Sequence, residues 1–494
     1  MVRPLLEYSI SVELISHLLS VETTLDPQLT FTGVTSDDRN VIAGDLFLAY
    51  PGKNSHGAEF AQSAISRGAR AILTDPRGAE IAQGLPVIVI ASARIAGALV
   101  SSHLYGKPIQ EMQSIAITGT NGKTTVSTLL YQLLQLAGRE TGLIGTVETR
   151  IGRQRLESSR TTPEADDLQA LAASMSEQHL RHLVMEVSSH AMVMNRIHGS
   201  HFAIAGFTNL TQDHLDFHGN MEEYFAAKSS LFSLEFADQA FINIDDPYGL
   251  RLFTNCQIPA TSLSQSNPQA TWHYTSITPT ARGTDFSLRG SGGILIESST
   301  PLRGSFNLDN LLLALAIATE CGIDPLDSAA LTPKLYGAPG RMEVVDRGQS
   351  FNALVDYAHT PDAVRSVLAT AAAFTSGRVI AVLGCGGDRD SSKRPLMGKA
   401  LHEGAAIAVF TSDNPRSENP MEILKEMTSG ISVSEPSAVI SDRAAAIAHA
   451  VSLSLPGDTL LILGKGHEVG QEVAGQTIDF DDRVVLAAAI EAQS

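Results

Sequence analysis

Short apolar runs that recur along the chain are the main structural signal of this sequence. Most are followed by stretches in which apolar residues return at the three- and four-residue spacing of a helix. We predict strands at residues 69–73, 86–90, 114–118, 182–187, 202–208, 241–244, 354–357, 379–383, 406–411, 439–441 and 460–463. Strands that alternate with helices favour an α/β fold with mostly parallel sheets.

The chain divides into three blocks by this pattern. Its 494 residues suggest roughly three domains at a typical size of ~150 residues each. We predict domains at residues 1–108, 109–337 and 338–494, the last of them a Rossmann-like unit. The Ser-, Thr- and Gly-rich stretch at 257–303 predicts a small antiparallel addition to the middle block, which a helix over 308–321 closes.

Residues 118–125 read Thr-Gly-Thr-Asn-Gly-Lys-Thr-Thr and follow directly on a predicted strand. Glycines let the backbone curl around an anion, and Lys123 and the hydroxyl of Thr124 suit phosphates and Mg²⁺. The downstream apolar spacing is helical, so the loop lies at a helix N-terminus, where anions bind well. The alternative is a Gly-rich turn with a solvated lysine. We predict that the middle domain is a P-loop ATPase-like α/β domain whose nucleotide ligands are Gly119, Thr120, Asn121, Gly122, Lys123, Thr124 and Thr125.

Acidic and histidine side chains follow two further strands of the middle block. Glu186 ends one strand, and His214 and His218 follow the next. Mg²⁺ usually takes one or two carboxylates plus phosphate oxygens, so Glu186 with Thr124 and ATP fits a magnesium site. The alternatives are a surface carboxylate at Glu186 and helix capping by Asp213 in the histidine cluster.

Four loops of the third block are rich in charge or glycine and follow predicted strands directly. They are residues 356–359, 384–390, 413–416 and 464–468. Open α/β sheets bind ligands beyond the carboxyl ends of their strands. The four loops together therefore predict a binding surface at one edge of this sheet.

Composition and charge narrow the classes of protein that fit. The chain is 43% hydrophobic and has a formal net charge of −18, which predicts large cores and disfavours a nucleic-acid partner. Cys256, Cys321 and Cys385 lack metal-ligand spacing and suggest a reducing compartment. No apolar run reaches the ~18 residues of a membrane span, and the start of the chain lacks the apolar segment of a signal peptide. We expect a soluble, cytoplasmic protein without a membrane partner.

The order of these motifs resembles the Mur ligase family over essentially the whole chain, and most of all its members that add the third residue of the peptidoglycan stem peptide. The resemblance is carried by residues 118–125, 161–163, 185–190, 209–219, Lys228, 306–310, 340–343, 356–359 and 464–468. It implies an ATP-dependent amide ligase: ATP phosphorylates a peptide carboxylate, and the amine of an amino acid displaces the phosphate.

The resemblance also implies roles for residues that the local patterns do not reveal. Lys228 would carry a carbamate and, together with His214, bind a second Mg²⁺; the alternative is an ordinary lysine on a helix surface. The catalytic set implied is Lys123, Glu186, His214 and Lys228, with the metal ligands Thr124, Glu186, His214 and carbamylated Lys228. Asn310 and Arg341 would hold the nucleotide, and Asp356 its ribose.

The third block suggests the incoming amino acid. Arg416 is a planar fork suited to a carboxylate, whereas Asp413 and Glu468 can accept hydrogen bonds from an ammonium. These groups favour meso-diaminopimelate over lysine or ornithine, and residues 413–416 resemble the signature of the diaminopimelate-adding members. The alternative is a Pro-bearing turn with exposed charges. The predicted amino-acid site comprises Arg389, Asp413, Asn414, Pro415, Arg416, Gly464 and Glu468.

The first block is expected to bind the acceptor, UDP-N-acetylmuramoyl-L-alanyl-D-glutamate. Residues 36–39 and 52–57 resemble the uridine-diphosphate loops of the family, although Asp38, Arg160 and Met194 depart from its pattern. The acceptor residues implied are Ser36, Asp38, Thr161, Thr162, Ser188 and Arg196. We expect a monomer whose partners are small molecules. A folylpolyglutamate-type synthetase and a nucleotide-gated binding protein without ligation are the remaining alternatives.

Overall fold

The computed structural model describes residues 2–52, 55–158, 160–280 and 283–493. These residues form three sheets that dominate the structure, each with helices packed on it, in the chain order that the sequence pattern predicts. No helix within the described ranges has the length and apolarity to cross a bilayer. The prediction of an α/β protein built from mostly parallel sheets is confirmed.

The first body contains a four-stranded parallel sheet and a separate two-stranded pair. Its strands are β1 (Ile10–Ser11), β2 (Thr30–Phe31), β3 (Gly33–Thr35), β4 (Asp45–Ala49), β5 (Ala71–Thr74) and β6 (Val87–Val89). Its helices are α1 (Val12–Leu19), α2 (Ala61–Ser66), α3 (Pro76–Ile81) and α4 (Ala93–Leu104). The four parallel strands lie side by side in chain order.

The second body is built on an eleven-stranded sheet with the order β10-β9-β8-β11-β7-β12-β13-β14-β15-β16-β17. The strands are β7 (Gln113–Thr118), β8 (Thr141–Ile144), β9 (Glu148–Ile151), β10 (Gln154–Glu157), β11 (His182–Glu186), β12 (Phe202–Phe207), β13 (Ala237–Asn243), β14 (Ala260–Ser264), β15 (Trp272–Thr280), β16 (Gly283–Arg289) and β17 (Leu295–Thr300). The helices are α5 (Lys123–Leu136), α6 (Ala165–Glu177), α7 (Ser189–Val193), α8 (Leu215–His218), α9 (Met221–Ser229), α10 (Pro247–Thr254), α11 (Ser305–Glu320) and α12 (Pro325–Leu331).

The third body has a six-stranded sheet with the order β18-β19-β23-β20-β21-β22 and a small hairpin, β24–β25. The strands are β18 (Glu343–Val344), β19 (Asn352–Asp356), β20 (Val379–Cys385), β21 (Ile407–Ser412), β22 (Ala438–Val439), β23 (Thr459–Leu463), β24 (Gly470–Val473) and β25 (Gln476–Asp479). The helices are α13 (Pro361–Phe374), α14 (Arg394–Gly404), α15 (Pro420–Met427), α16 (Arg443–Ser452) and α17 (Asp482–Glu491).

The central strands are apolar on both faces because each face of the sheet is covered by helices. In β7, Ile115 and Ile117 pack into the core beneath α5 and α11, whereas Ala116 points into the core on the opposite face. In the third body, Leu354 and Val355 of β19 likewise point to opposite faces of the sheet, and each packs into a different core. Strands of this kind read as continuous apolar runs, which is why the sequence locates them well.

The edges of the second sheet differ most from the sequence pattern. The antiparallel addition expected at 257–303 is present, but β15 pairs in parallel with β14, so β15, β16 and β17 extend the main sheet. At the other edge, the hairpin β9–β10 was not predicted, because its strands are short and mostly polar. The domain boundaries at 108/109 and 337/338 stay predictions; they fall in connections between the three main sheets.

A buried ion pair ties the carboxyl ends of the third sheet to its last helix. The guanidinium of Arg443 donates to Asp482 at 2.7 Å through both Nε and Nη2, and neither side chain is exposed. The same group donates to the carbonyls of Ser412 and Leu463, the last residues of β21 and β23. This pair therefore fixes the positions from which two of the charged loops leave the sheet.

We expect Arg443→Leu to lower the free energy of unfolding of the third body by about 3–5 kcal/mol, because it leaves the Asp482 carboxylate buried without its partner. Hydrogen exchange of peptides that cover β21 and β23, measured in increasing urea, gives this value. The control is Arg347→Leu, which breaks an exposed pair with Glu491 and should change it by less than about 1 kcal/mol. Equal losses in the two variants would contradict the role of burial.

Candidate active site

The predicted phosphate loop links β7 to α5 and presses against the segment after β12. Gly119 has φ +145°, and a Cβ there would collide with the hydroxyl of Thr208 and lie 3.1 Å from the backbone of Asn209. Gly122 has φ +87°, and a Cβ there would meet the side chain of Asn310. Both positions need glycine, for conformation and for space. The loop therefore has the tight curl that the sequence predicts, with α5 starting at Lys123.

The side chain of Lys123 folds back onto the backbone of its own loop. Its Nζ donates to the carbonyls of Gly119 and Thr120, both at 2.9 Å. Burial lowers the pKa of Lys123, although Glu186 partly offsets the shift. The ammonium thus lies at the loop mouth, where an incoming phosphate can exchange for the carbonyl contacts.

Glu186, the last residue of β11, lies under the loop and is 1% exposed. Its carboxylate accepts hydrogen bonds from the Thr124 hydroxyl at 2.9 Å and from the backbone N–H and hydroxyl of Thr146 at 2.8 and 2.9 Å. The alternative of a surface carboxylate is therefore wrong. Thr124 and Glu186 form the adjacent hydroxyl and carboxylate pair that suits Mg²⁺.

Lys228 approaches the same loop from α9 and is 1% exposed, so it is not an ordinary lysine on a helix surface. Its Nζ donates to the Gly119 carbonyl at 2.7 Å and lies 4.9 Å from the ring centre of Tyr224. Burial, reinforced by the charge of Lys123, lowers the pKa of Lys228 well below its usual value. A lysine with such a pKa has an increased share of neutral amine, which is the form that reacts with electrophiles.

The histidines lie beside this loop, in an aromatic cluster. The rings of His190 and His214 meet edge to face at 4.8 Å, and His190 stacks on Phe217 at 4.1 Å. Burial lowers the pKa of His214 to about 3 and that of His218 to about 4. Neutral imidazoles are able to bind a metal. Within the described ranges, however, no three His, Cys, Asp or Glu side chains are arranged as a ready metal cluster.

Asp213 connects the second and third bodies. Its carboxylate lies 3.8 Å from His359 Nε2 and 3.6 Å from Lys393 Nζ, both in the third body, and 3.3 Å from His214. Burial alone would raise the pKa of Asp213, but the two imidazoles and the ammonium lower it below its usual range. Sequence reasoning did not assign Asp213, His359 or Lys393 to the site. Asp213 was considered only as a helix cap, and the signal for His359 and Lys393 was their place in or near the charged loops.

Two of the predicted nucleotide ligands come from the third body and line a cavity together with residues of the loop. The Nη2 of Arg341 lies 3.5 Å from the hydroxyl of Thr124, and its guanidinium is 4.3 Å from the ring centre of Tyr357. Among the described residues, its Nε has no hydrogen-bond partner. Asp356 is buried, which raises its pKa, and it accepts hydrogen bonds from the N–H groups of Met342 and Ala358, both at 2.7 Å. These contacts fix the turn after β19.

The four charged loops of the third body converge on a cavity of about 490 Å³. The cavity is shared with the second body, which contributes His190, Asp213 and His214. Of the predicted amino-acid residues, those that line the cavity are Arg389, Asp413, Asn414, Arg416, Gly464 and Glu468. Pro415 lies in the turn but is not among the described lining residues.

Arg416 has a positive φ of +52° in its turn, and part of its guanidinium already contacts the protein. Nη1 donates to the Gly387 carbonyl at 2.7 Å, and Nε lies 3.2 Å from a carboxylate oxygen of Glu472. One N–H of Nη1 and both of Nη2 remain for a ligand. That is enough for bidentate capture of a carboxylate.

Asn414 holds three parts of this surface together. Its side chain donates to Glu468 at 2.9 Å and accepts from Lys465 at 3.2 Å and from the N–H of Glu472 at 3.0 Å. Burial alone would raise the pKa of Glu468, but the Lys465 ammonium lowers it. Burial raises the pKa of Asp413. We therefore assign Asn414 a positioning role.

The predicted acceptor residues fall into two groups. Thr162 donates to the Glu186 carbonyl at 2.9 Å and accepts from the N–H of Ser188, while Arg196 donates to the Thr162 carbonyl at 3.2 Å. Thr161 lies beside them, with its hydroxyl 3.0 Å from that of Thr146. The other group belongs to the first body: Ser36 donates to Asp166 and Asp38 accepts from Ser63. Lys53 and Asn54 of the expected uridine-diphosphate loops lie outside the described residues.

Glu164 is a further residue that sequence reasoning missed. Its carboxylate lies 3.1 Å from Arg94, 2.6 Å from Arg160 and 3.0 Å from Arg196. The carboxylate therefore links one arginine of the first body to two arginines of the second. The four-residue spacing of Arg160 and Glu164 was the only sequence signal.

The fold and the site define a three-body α/β protein in which the predicted phosphate loop lies near a charged cavity between the second and third bodies. Family models match three parts of the chain: "Mur ligase family, catalytic domain" at residues 30–104, "Mur ligase middle domain" at 117–318 and "Mur ligase, glutamate ligase domain" at 340–466. The chain belongs to the Mur ligase family.

Individual relatives support this family assignment. The UDP-N-acetylmuramoyl-L-alanyl-D-glutamate--2,6-diaminopimelate ligase of Streptomyces coelicolor is 46% identical over 475 residues, which is 94% of each chain. A solved structure of an enzyme with that name is 33% identical and has a TM-score of 0.69, with 98% of this chain and 99% of that chain covered. Folylpolyglutamate synthase of Mycobacterium tuberculosis shares the fold at 19% identity and a TM-score of 0.61, over 81% of this chain and 95% of that one.

We expect Gly119→Ala to weaken nucleotide binding by about 10- to 100-fold, because the new Cβ strains the loop and displaces Thr208. Titration with a fluorescent ATP analogue measures this loss. Gly138→Ala is the matched control: Gly138 also has positive φ, +74°, but nothing described lies within 4 Å of its Cβ position. If Gly138→Ala weakened binding as much, the effect would not belong to the loop.

Proposed function

We propose that this chain is an ATP-dependent ligase that adds meso-diaminopimelate to UDP-N-acetylmuramoyl-L-alanyl-D-glutamate, a step of peptidoglycan precursor synthesis. One observation carries the proposal. The cavity that contains Arg416 and Glu468 opens onto His190, Asp213 and His214 beside the phosphate loop. A nucleotide phosphate and an amino acid can therefore approach one acceptor carboxylate from two sides. The names of the relatives support the same substrates.

We assign the nucleotide to the loop from Gly119 to Thr125, with Lys123 and Arg341 as the cations that face its phosphates. Arg341 supports this role because its Nε has no partner in the described part of the chain. Transfer of the terminal phosphoryl group to the acceptor carboxylate gives an acyl phosphate and ADP. The fixed cations stabilise the charge that develops on the phosphate oxygens. Asn310 and Asp356 complete the nucleotide site.

Two pairs of donors beside the loop fit Mg²⁺: Thr124 with Glu186 for one ion, and His214 with a carbamylated Lys228 for a second. Bound Mg²⁺ would neutralise phosphate charge and polarise the transferred group. The fit rests on the buried Thr124–Glu186 pair and on the Lys228 amine. A neutral amine adds CO₂ and releases a proton, which turns a buried cation into an anionic oxygen ligand.

The amine of diaminopimelate then attacks the acyl carbon, the carbon–oxygen bond to phosphate breaks, and the amine releases a proton as the amide forms. The charged loops of the third body orient this amine. Arg416 takes the distal carboxylate, and Asp413 and Glu468 take the neighbouring ammonium. Lysine and ornithine lack the distal carboxylate and would leave Arg416 unpaired. A folylpolyglutamate-type activity is less well supported, because that relative is only 19% identical.

We assign the acceptor to the first body and its junction with the second. Ser36 and Asp38 lie on the first body. The other proposed acceptor residues lie on the second body, where hydrogen bonds connect Thr162 with Glu186, Ser188 and Arg196; Thr161 is next to Thr162 in the chain. The domains proposed are residues 1–108 for the acceptor, 109–337 for ATP and 338–494 for the amino acid. We further propose that the protein acts in the cytoplasm as a monomer, since one chain supplies all three sites.

We expect the protein to use meso-diaminopimelate and to reject lysine by up to ~10⁴-fold in kcat/KM, because lysine leaves a guanidinium unpaired. Arg416→Ala should lower kcat/KM for diaminopimelate by at least ~30-fold and leave that for lysine unchanged or higher. Phosphate release with a panel of amino acids and the acceptor measures both. Arg365→Ala, an exposed arginine of the same body, should behave as the wild type. Equal use of lysine and diaminopimelate by the wild type would contradict the pocket assignment.

We expect Lys228→Ala to be inactive and to regain part of its activity with formate or acetate, which can replace the carbamate oxygens. In ¹³C-bicarbonate, the wild type should show a carbamate signal that the variant lacks. Lys399→Ala is the control, because the Lys399 side chain is 67% exposed and should keep both activity and signal. A wild type without a carbamate signal, or a fully active Lys228→Ala, would exclude the modification.

A further inference from the structure

A second cavity, of about 110 Å³, lies between α11 of the second body and α13 of the third. Asn121, Gly122 and Thr125 of the phosphate loop line one end. The apolar side chains that line it are Phe306, Leu313, Ala363 and Val367. A ligand with phosphates at one end and a flat, weakly polar ring at the other suits this arrangement.

Asp309 is the unusual member of this lining. It lies on α11 beside Gln265 and Asp245, and its Oδ1 is buried with no hydrogen-bond partner among the described residues. A buried acceptor without a donor costs about 1–3 kcal/mol, and more for a charged group. Burial raises the pKa of Asp309 to about 7, although the nearby Gln265 amide moderates the shift and the charge of Asp245 adds to it.

The polar groups around Asp309 do not reach its Oδ1 within the described residues. The hydroxyl of Tyr274 donates to the Leu308 carbonyl at 2.9 Å. The side-chain amide of Gln265 donates to the Ser305 carbonyl at 2.7 Å, and its hydrogen bond to the Asp309 carboxylate leaves Oδ1 without a partner. Asn310 donates to the Asn307 side chain at 3.4 Å. These contacts leave Oδ1 of Asp309 available to a donor from a ligand in the cavity.

We propose that Asp309 selects the base of the nucleotide, with its Oδ1 accepting a hydrogen bond from the exocyclic 6-amino group of adenine. A base with a carbonyl oxygen at that position would place lone pairs against the carboxylate. A base with only hydrogen there would leave Oδ1 unpaired, as it is without a ligand. Asp309 is thus a specificity-determining residue. The inference rests on the proposed function only in taking ATP as the nucleotide.

The test removes the 6-amino group from the nucleotide and, separately, the carboxylate of Asp309 from the protein. Purine riboside triphosphate differs from ATP only in lacking the 6-amino group. We expect the wild type to bind it about 10- to 100-fold more weakly than ATP, the size of one hydrogen bond to a charged group. In Asp309→Leu, this ratio should fall to near one. In Asp309→Asn, which keeps the shape but not the charge, the ratio should fall at least about threefold. Competition against a fluorescent nucleotide measures each dissociation constant.

Glu320→Gln is the matched control, because Glu320 is an exposed carboxylate on the same helix and lies outside the described lining of the cavity. It should keep the wild-type ratio. Equal binding of both nucleotides by the wild type, or an unchanged ratio in both Asp309 variants, would overturn the proposal. If Asp309→Leu does not fold, the isosteric Asp309→Asn decides alone. The assay needs neither acceptor nor amino acid, so a failure to ligate would count against the proposed function and leave this inference intact.

Discussion

The buried carboxylate of Glu186 is the interaction on which the rest of the site depends. Glu186 ends β11 in register with Ile117 of β7, so it lies directly beneath the loop that leaves β7. Its carboxylate oxygens accept hydrogen bonds from Thr124 at the start of α5 and from Thr146 after β8. Its backbone carbonyl accepts a hydrogen bond from Thr162, one of the proposed acceptor residues. One residue thus sets the relative positions of the proposed nucleotide loop and the proposed acceptor segment. A buried acidic group is stable there because each oxygen is hydrogen-bonded.

Part of the contact between the second and third bodies is electrostatic. Asp213 faces His359 and Lys393 at distances longer than a direct hydrogen bond. Arg341 crosses in the other direction and lies 3.5 Å from Thr124. Contacts of this kind are weak and adjustable, unlike the buried pair of Arg443 and Asp482 within the third body. The rigid pair fixes the loops on their own sheet, and the adjustable contacts allow the two bodies to approach around a ligand.

Two buried polar atoms without a partner lie in the cavity where a nucleotide is expected. Oδ1 of Asp309 and Nε of Arg341 are both buried without a partner within the described ranges, and both residues line the cavity beside the phosphate loop. Native proteins pair nearly all buried polar atoms, so such exceptions require an explanation. A nucleotide offers an acceptor to Arg341 and a donor to Asp309. The guanidinium of Arg341 suits the phosphates at one end of a nucleotide, and the carboxylate of Asp309 suits an amino group on the base at the other end.

The sequence by itself determined many of the central strands, their mostly parallel pairing, the curl from Gly119 to Gly122 and the presence of charged loops after β19, β20, β21 and β23. These features depend on neighbours along the chain, because apolar spacing and glycine conformation act locally. Only the tertiary structure decided which distant side chains meet. Lys228 is buried against Gly119, and Asp213 faces Lys393, across more than a hundred residues. A lysine or an aspartate carries no local sign of its partner, because the packing of one body on another selects it.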